Sequence, residues 1–307
     1  MSSIQNTMPE SNAPPRGPVI PSWYRASYPT ATTATPTASY HHAAQRDETA
    51  DLTADSTVAD ATGGPVATGG SNGARRPYKV TVVVPTRNEA ANLLPVLIAA
   101  RPYADELLVV DGHSTDGTRE VAIACGARVL LDDGKGKGAA IRKGLHAAQG
   151  DVLVFIDADG SHDPADIPAL LQPIFAGDAD HVSGSRMLGG SDELHATIQQ
   201  FVRLFGSQVI TLLINYTLNV RLTDCQNGYR AIRKDVAQKL GLTEDIITIE
   251  QEMIVKTLRR GYRMAEVATH EYVRANGESN FRVRDVWLRF GGSLLYYLFI
   301  WQPTAAR

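Results

Sequence analysis

Two aspartates at the end of an apolar run are the residues of this chain best suited to carry out chemistry. Asp157 and Asp159 follow the uninterrupted apolar run 152–156, and the turn-forming residues 160–164 come directly after them. Such a run predicts a buried strand, and side chains along a strand alternate with a period of two. We therefore expect both carboxylates on one side, where they could hold Mg²⁺ or Mn²⁺ together with substrate phosphates. The alternative is a turn in which both side chains only accept hydrogen bonds from nearby backbone groups.

Two other predicted strands lead into acidic residues. Glu89 lies just beyond the apolar segment 79–85, and Asp111 ends the segment 106–111. Strands that alternate with helices of ordinary length predict βαβ units and a parallel sheet with right-handed crossovers. In such a sheet, ligands bind beyond the carboxyl ends of the strands. We therefore predict an α/β, Rossmann-like nucleotide-binding domain with these carboxylates along one edge.

A glycine-rich loop with two lysines, residues 134–138, precedes the aspartate segment. It lacks the Gly-Lys-Ser/Thr sequence of a nucleotide triphosphate-binding loop. It fits the dinucleotide-binding glycine pattern, but that pattern belongs after the first strand of the fold, whereas this loop follows the third. Lys137 is a candidate cation beside a metal-bridged diphosphate. The loop by itself favours solvated charge at Lys135 and Lys137.

The remaining pattern predicts the elements that position these residues. We expect helices over residues 90–100, 118–125, 139–148, 163–176 and 250–260, and strands over residues 128–131, 181–186, 231–233 and 263–268. The helix that starts at 163 has Asp163 at the capping position and Pro164 in its first turn, which is a typical start signal.

Composition limits the size and class of the protein. The chain has 307 residues, 43% of them hydrophobic, which is enough for one large core or two modest ones. A formal net charge of −3 gives no reason to expect a nucleic acid partner, and two cysteines without ligand-like spacing indicate a reducing cytoplasm. Residues 1–77 contain no lysine, no apolar period and no secretory signal pattern. Their Pro, Thr, Ala and Gly content predicts a disordered tail.

Two apolar stretches in the second half of the chain contain uncharged runs shorter than the ~20 residues that span a bilayer. The first covers residues 198–220, and the second covers residues 286–301, with Arg282 and Arg284 just upstream. The Trp, Tyr and Arg content of the second is typical of an interfacial membrane anchor, with a helix packed on the domain as the equal alternative. We therefore divide the chain into a tail (1–77), a main domain (78–285) and an apolar C-terminal helix (286–307).

Four motifs, in order along the chain, give the sequence a family resemblance. They are Val-Pro-Thr-Arg-Asn-Glu at 84–89, Val-Asp-Gly-His-Ser-Thr-Asp-Gly-Thr at 110–118, Gly-Lys-Gly at 136–138 and Asp-Ala-Asp at 157–159. Together they resemble the family 2 glycosyltransferases of the GT-A fold. Within that family, the segments 157–164, 184–186, 224–230 and 277–279 are most similar to dolichol-phosphate mannose synthases and related polyprenyl-phosphate sugar transferases. The resemblance covers residues 78–281.

The resemblance implies an inverting transfer of a hexose from a nucleotide-diphospho-sugar to a polyprenyl phosphate of the dolichyl type. It implies a mostly parallel central sheet with helices on both faces, and Mg²⁺ or Mn²⁺ held by Asp157 and Asp159. The residues that it implies at the nucleotide-sugar are Pro85, Thr86, Arg87, Glu89, Asp111, Lys137, Asp157, Ala158, Asp159 and Glu252. It further implies a cytoplasmic enzyme, peripheral to the inner face of the cell membrane and in contact with the membrane surface.

The implied catalytic residues are Asp159, Arg186 and Arg230. A polyprenyl phosphate is already anionic near neutral pH, so it needs positioning by cations more than a general base. The two arginines are candidates because guanidinium groups match phosphate oxygens. A surface ion pair is the alternative for each arginine, and it is the preferred reading for Arg233.

The chain departs from the family pattern at two positions. Gly112 stands where many relatives have a second aspartate, and Asn280 stands where relatives often have a phosphate-binding lysine. A soluble glycosyltransferase that acts on a polysaccharide or small-molecule hydroxyl is the alternative function, and it requires a general base. A non-catalytic nucleotide-sugar-binding protein is a weaker alternative, because binding alone does not require a metal at the leaving group.

Overall fold

The structure, a computed structural model, describes residues 78–192, 198–277 and 283–303. The predicted disordered tail, residues 1–77, lies outside the described residues. Part of the predicted 277–279 motif, together with Asn280 and Arg282, also lies outside them.

The core of the protein is a seven-stranded, mostly parallel sheet. Its strands are β1 (Val80–Thr86), β2 (Glu106–Asp111), β3 (Arg128–Leu131), β4 (Val152–Phe155), β5 (His181–Ser185), β6 (Arg230–Arg233) and β7 (Met264–Ala268). The order across the sheet is β3-β2-β1-β4-β6-β5-β7. Every strand pair is parallel except those that β6 makes with β4 and β5. Strand β4 is an uninterrupted run of buried Val, Leu and Phe, and β1 is mostly buried Val, as expected for a sheet covered on both faces.

The reversed direction of β6 brings a second loop to the ligand-binding edge. Phe155 at the end of β4 pairs with Arg230 at the start of β6. Residues 224–229, which precede β6, therefore lie beside residues 156–159, which follow β4. The sequence pattern predicts a strand at this point but not its direction.

Helices cover both faces of the sheet, as predicted. They are α1 (Ala90–Ala100), α2 (Thr118–Ala124), α3 (Lys137–Ala147), α4 (Ile167–Phe175), α5 (Arg186–Gly189), α6 (Ile198–Leu218), α7 (Lys234–Leu240), α8 (Ile249–Arg259) and α9 (Val283–Leu295). Residues of α1, α2 and α4 form one buried apolar cluster with the sheet, and residues of α3, α7 and α8 form the other. This two-layer burial is the physical basis of a stable α/β domain.

The C-terminal helix packs on the domain. A π-helical turn, Tyr296–Ile300, continues α9, and Leu294, Tyr297 and Leu298 are buried against Ile214 of α6 and Ile254 of α8. Among the helices of the described ranges, none combines the length and hydropathy that a bilayer crossing requires. One face of the C-terminal helix thus packs on the domain, and the interfacial anchor stays a prediction.

Two elements next to the site have bounds that differ from the predicted ones: the end of β4 and the start of α3. Strand β4 ends at Phe155, so Asp157 and Asp159 lie in the following turn and not in an extended strand. Helix α3 begins at Lys137, two residues earlier than predicted. Gly136 has φ +126°, and a Cβ at Gly138 would lie 2.5 Å from the carbonyl oxygen of Glu244. This close approach, which requires glycine, seats the start of α3 against the segment before α8.

Candidate active site

A cavity of about 600 Å³ opens at the carboxyl edge of β1 and β4. Among the predicted site residues, it is lined by Pro85, Arg87, Glu89, Lys137, Asp157, Ala158, Asp159 and Arg186. The structure thus brings together residues from three strand ends and from the loop before α3. This convergence follows from parallel strands whose carboxyl ends share one edge.

Three charged side chains form an ion cluster at the centre of the cavity: Lys137, Asp157 and Glu250. The Nζ atom of Lys137 lies 2.7 Å from Oδ1 and 2.9 Å from Oδ2 of Asp157, and 2.9 Å from Oε1 of Glu250. Burial acts to lower the pKa of Lys137, but the two carboxylates outweigh it and raise that pKa. Burial likewise acts to raise the pKa of Asp157, and Lys137 outweighs it, so that pKa is lowered. Lysine and aspartate are therefore both charged at neutral pH.

A second ionic contact joins Asp159 to the segment after β7. Oδ1 of Asp159 accepts hydrogen bonds from the amide and the Oγ of Ser161, at 3.1 and 2.7 Å. Oδ2 lies 3.5 Å from Nη1 of Arg274, which also pairs with Glu89. Burial raises the pKa of Glu89, although Asn92 and Arg274 partly offset it. One arginine therefore links the β1 and β4 ends across the cavity.

The two aspartates fit a divalent cation that is shared with a substrate. Both line the cavity, both offer hard oxygen donors, and Oδ2 of Asp159 makes a long 3.5 Å contact with Arg274. Within the described ranges, no group of three or more His, Cys, Asp or Glu side chains is placed to hold a metal by itself. Mg²⁺ typically takes one or two carboxylates and completes its shell with phosphate and water oxygens. The donor set matches that mode of binding.

Arg186 lies in the cavity wall at the start of α5. Its guanidinium makes a two-pronged contact with Asp224, at 2.6 and 3.0 Å, and lies 3.2 Å from Glu271. Burial acts to lower the pKa of Arg186, but Asp224 and Glu271 raise it. The side chain is therefore a fixed cation between two carboxylates.

The prediction that Arg230 faces the acceptor is wrong. Its side chain is buried beneath the cavity, and its guanidinium donates to the carbonyl oxygens of Glu250, at 3.1 Å, and Asn227. Burial lowers the pKa of Arg230. Residue 230 lies within β6, where it pairs with Phe155 of β4, and its side chain is buried and not in the cavity wall. Arg233 makes surface ion pairs with Asp180 and Asp235, as expected.

Glu252 was predicted near the sugar, but it does not line the cavity, whereas Glu250 does. The carboxylate of Glu252 is fully buried, accepts from the amide of Thr243 at 2.8 Å, and lies 2.6 Å from Nζ of Lys256. Residues two apart on a helix point about 200° apart, since each residue turns the helix by about 100°. Glu250 faces the cavity for this reason, and Glu252 faces the core.

Two more predicted residues lie behind the wall of the cavity. Thr86 and Asp111 are both buried. Oδ2 of Asp111 accepts from the amide of Ser114 at 3.0 Å and lies 3.7 Å from Nε of Arg119. Asp111 thus holds the loop after β2, whereas Pro85, Arg87 and Glu89 line the cavity.

Several lining residues were not found from the sequence. They are Glu250, Arg274, His162 and Glu271. Nδ1 of His162 is buried without a hydrogen-bond partner among the described residues, and its ring packs on Tyr229 at 5.0 Å. The position of His162 within the motif 157–164 was a usable signal. The other three lie more than 85 residues from the aspartates, and no local pattern marks them.

One end of the cavity is apolar. Helices α6 and α9 form its walls, and we call this end the apolar trough; its side chains are Leu204, Val209, Ile210, Leu213, Phe290 and Leu294. The trough and the ion cluster belong to one continuous cavity. A bound molecule could therefore reach the charged centre while keeping an apolar part between the two helices.

Fold and site together define a GT-A glycosyltransferase, and sequence comparison gives the family. The sequence model of Glycosyl transferase family 2 matches residues 81–241, and the chain belongs to this family. Solved structures of glucosyl-3-phosphoglycerate synthase from Mycobacterium tuberculosis share its fold. For the complex with Mn²⁺, UDP and glucosyl-3-phosphoglycerate, the TM-score is 0.60 with 24% identity, over 75% of this chain and 82% of that one. The predicted GT-A fold and family are confirmed.

Three relatives illustrate the range of the family. Glycosyltransferase AglJ of Haloferax volcanii is 34% identical over 206 residues, 66% of this chain and 65% of AglJ. An uncharacterized glycosyltransferase of Mycobacterium tuberculosis is 32% identical over 200 residues, 65% of this chain and 88% of that protein. The undecaprenyl-phosphate mannosyltransferase of Micrococcus luteus is 36% identical over 220 residues, 66% of this chain and 86% of that enzyme. The chain thus spans about two thirds of AglJ and most of the other two.

Proposed function

We propose that this glycosyltransferase moves a hexose from a nucleotide-diphospho-sugar to a polyprenyl phosphate, with inversion at the anomeric carbon. The observation that carries the proposal is a single cavity with an ionic end and an apolar end. Its volume of about 600 Å³ is within the usual range of about 300–1,000 Å³ for small-molecule sites. A donor with a charged diphosphate and an acceptor with a charged head and an apolar chain match these two ends.

The ionic end suits the donor diphosphate. Asp157 and Asp159 would hold a divalent cation, which when bound supplies a Lewis acid for the charge on the departing nucleoside diphosphate. Lys137 is a charged side chain 2.7 Å from Asp157 and 2.9 Å from Glu250, so it adds a cation beside the proposed metal position. Arg274 adds a second cation beside Asp159. The Mn²⁺ and UDP bound to the M. tuberculosis synthase support this arrangement.

The apolar trough suits a prenyl chain, with the acceptor phosphate toward Arg186. That phosphate is anionic near neutral pH, so its oxygen can attack the anomeric carbon without a general base. The new bond from the acceptor oxygen to the anomeric carbon forms on one face while the bond to the diphosphate breaks on the other. The activity in the name of the M. luteus relative supports this class of acceptor.

One observation favours a hydroxyl acceptor instead. The carboxylate of Glu271 lies in the cavity wall, 3.2 Å from Nη1 of Arg186, and accepts from Oγ of Ser191 at 2.7 Å. A hydroxyl has to lose its proton during transfer, and a carboxylate in the wall is a candidate base. Phosphoglyceric acid, the ligand of another M. tuberculosis synthase structure, is a small acceptor of that kind.

The decisive assay offers the enzyme a panel of labelled UDP- and GDP-sugars with polyprenyl phosphate and extracts the products into organic solvent. We expect lipid-extractable label from one donor, its loss with EDTA and its return with Mn²⁺. Asp159→Ala should abolish transfer, while Asp133→Ala, a change in an exposed surface pair with Lys143, should leave it unchanged. Label that appears only in a water-soluble product would refute the lipid acceptor and favour the hydroxyl one.

An exposed apolar face on the C-terminal helix supports the proposal that the acceptor end contacts a membrane surface. Leu288 is 70% exposed and Phe299 is 61% exposed on the C-terminal helix. Burying each side chain in lipid contributes about 1.5–3 kcal/mol, so Leu288→Ser/Phe299→Ser should lower affinity for phospholipid vesicles about tenfold or more. The control is Ile98→Ser/Ile123→Ser on α1 and α2, at positions 50% and 64% exposed. Equal sedimentation of both variants with vesicles would exclude the C-terminal helix as the contact.

A further inference from the structure

Two glycines interrupt the otherwise apolar walls of the trough, one in each helix. Gly206 lies within α6 and Gly291 lies within α9, and both line the cavity. We propose that these two positions set the width of the apolar trough. Because glycine has no side chain, they leave the space that a methyl-branched isoprenoid chain occupies. This inference rests on the proposed polyprenyl phosphate acceptor and assigns the residues that select it.

Packing does not account for these glycines. A Cβ at Gly206 or at Gly291 would meet no heavy atom within 4 Å. Gly144 of α3 shows the opposite case, because a Cβ there would lie 2.5 Å from Cγ1 of Val83. Glycine inside a helix is destabilising relative to alanine, since it loses more backbone freedom on folding. The space beside Gly206 and Gly291, which both line the cavity, is thus not filled by the protein itself.

The chemistry of the surrounding wall identifies what fills that space. Leu213, Phe290 and Leu294 present hydrocarbon, so the trough favours an apolar chain. The same cavity is also lined by Arg186, the cation for the acceptor phosphate in the proposed function. An amphiphile with an anionic head and a branched apolar chain satisfies both ends at once. A straight chain is narrower than a methyl-branched one, so it would not need the room that these two glycines leave.

Gly292 supplies a matched control for the test. It is the next residue along α9, a Cβ there also meets nothing within 4 Å, and it does not line the cavity. Gly291→Leu and Gly292→Leu therefore add the same side chain to the same helix, in open space, on different sides. Gly206→Leu adds the same side chain to the wall formed by α6. It is the variant to test if Gly291→Leu fails to fold.

The experiment compares steady-state kinetics of the full chain and these variants with undecaprenyl phosphate and with dimethylallyl phosphate, which has a single isoprene unit. We expect Gly291→Leu and Gly206→Leu to raise KM for undecaprenyl phosphate about tenfold or more, equal to about 1.4 kcal/mol. The KM for the donor and the rate with dimethylallyl phosphate should stay at wild-type values. Gly292→Leu should match wild type throughout.

Three results would overturn the assignment. Wild-type KM for undecaprenyl phosphate in both cavity variants would mean that the glycines do not border the chain. An equal rise in Gly292→Leu, or a rise in the KM for the donor, would point to a general effect on the helices or the cavity. In each of these cases the polyprenyl phosphate acceptor itself stands. Absence of any transfer by the wild type to either prenyl phosphate would instead refute the acceptor class and the glycine assignment together.

Discussion

Gly228 lies against the ion cluster, so a single methyl group tests whether the placement of Lys137 matters for transfer. A Cβ at residue 228 would lie 2.8 Å from Nζ of Lys137, 3.1 Å from Oδ2 of Asp157 and 3.2 Å from Oε1 of Glu250. Gly228 is not among the residues with positive φ, so alanine can adopt its backbone conformation. All three contacts are ends of side chains, and the fold is expected to survive Gly228→Ala.

The size of the effect follows from the distances. To restore an ordinary contact of 3.4 Å, the Nζ atom has to retreat by about 0.6 Å from its present 2.8 Å. A misplacement of about 1 Å at an active site can cost about 100-fold in rate. We therefore expect Gly228→Ala to lower kcat/KM by about 10- to 100-fold, equal to about 1.4–2.7 kcal/mol of transition-state stabilisation. Thermal unfolding should change little.

A double-mutant cycle with Lys137→Met separates this mechanism from a general disturbance of the cavity. If the added methyl group acts by moving Lys137, the double variant should transfer sugar no more slowly than Lys137→Met alone. Gly292→Ala, which also adds a methyl group in open space, should keep wild-type kcat/KM. Wild-type activity of Gly228→Ala, or losses that add fully in the double variant, would refute the reasoning.

Two further predictions concern stability. Burial acts to raise the pKa of Asp224, but Arg186 outweighs it and lowers that pKa below its ordinary value. A carboxylate whose pKa is lower in the folded than in the unfolded protein stabilises the fold at pH values above its unfolded pKa. This stabilisation is lost as the pH falls through about 4 and below. Asp224→Asn should therefore cost about 3 kcal/mol in urea unfolding at pH 7 and flatten the acid dependence, whereas parallel pH curves would contradict the pairing. Tyr297→Phe removes a hydroxyl that donates to Oε1 of Glu252 at 3.0 Å, so it should lower the free energy of unfolding by about 1–3 kcal/mol. Tyr216→Phe, at a residue 89% exposed, is the control, and an equal loss there would show that the hydrogen bond contributes nothing.

The strands and most helices could be predicted from the sequence because their signals are local. Helix Ala90–Ala100 and strand Glu106–Asp111 have the predicted bounds, since apolar runs and turn residues mark both ends. Lys137 and Asp157 were expected at the same sheet edge, and they lie 2.7 Å apart. The parallel βαβ pattern is sufficient for that expectation, because it aligns successive strand ends.

The partners of these residues were not predictable, because they come from distant parts of the chain. Arg274 contacts Asp159 across 115 residues and Glu89 across 185 residues. Glu250 contacts Lys137 across 113 residues. Sequence spacing carries no information about such pairs, since only the packing of α8 and of the segment after β7 against the sheet decides them.

The sequence by itself determined the class of this protein: an α/β sheet with carboxylates at its strand ends and the ordered motifs of a family 2 glycosyltransferase. Those features depend on short-range periodicity and on residue type. Only the tertiary structure decided which side chains line the cavity: Glu250 and not Glu252, because a helix points neighbours in different directions, and not Arg230, because its side chain is buried within the domain. The tertiary structure also places the two apolar stretches side by side in the wall of the cavity that contains Asp157 and Asp159. The packing of the two helices brings these walls together, and no local sequence pattern predicts that packing.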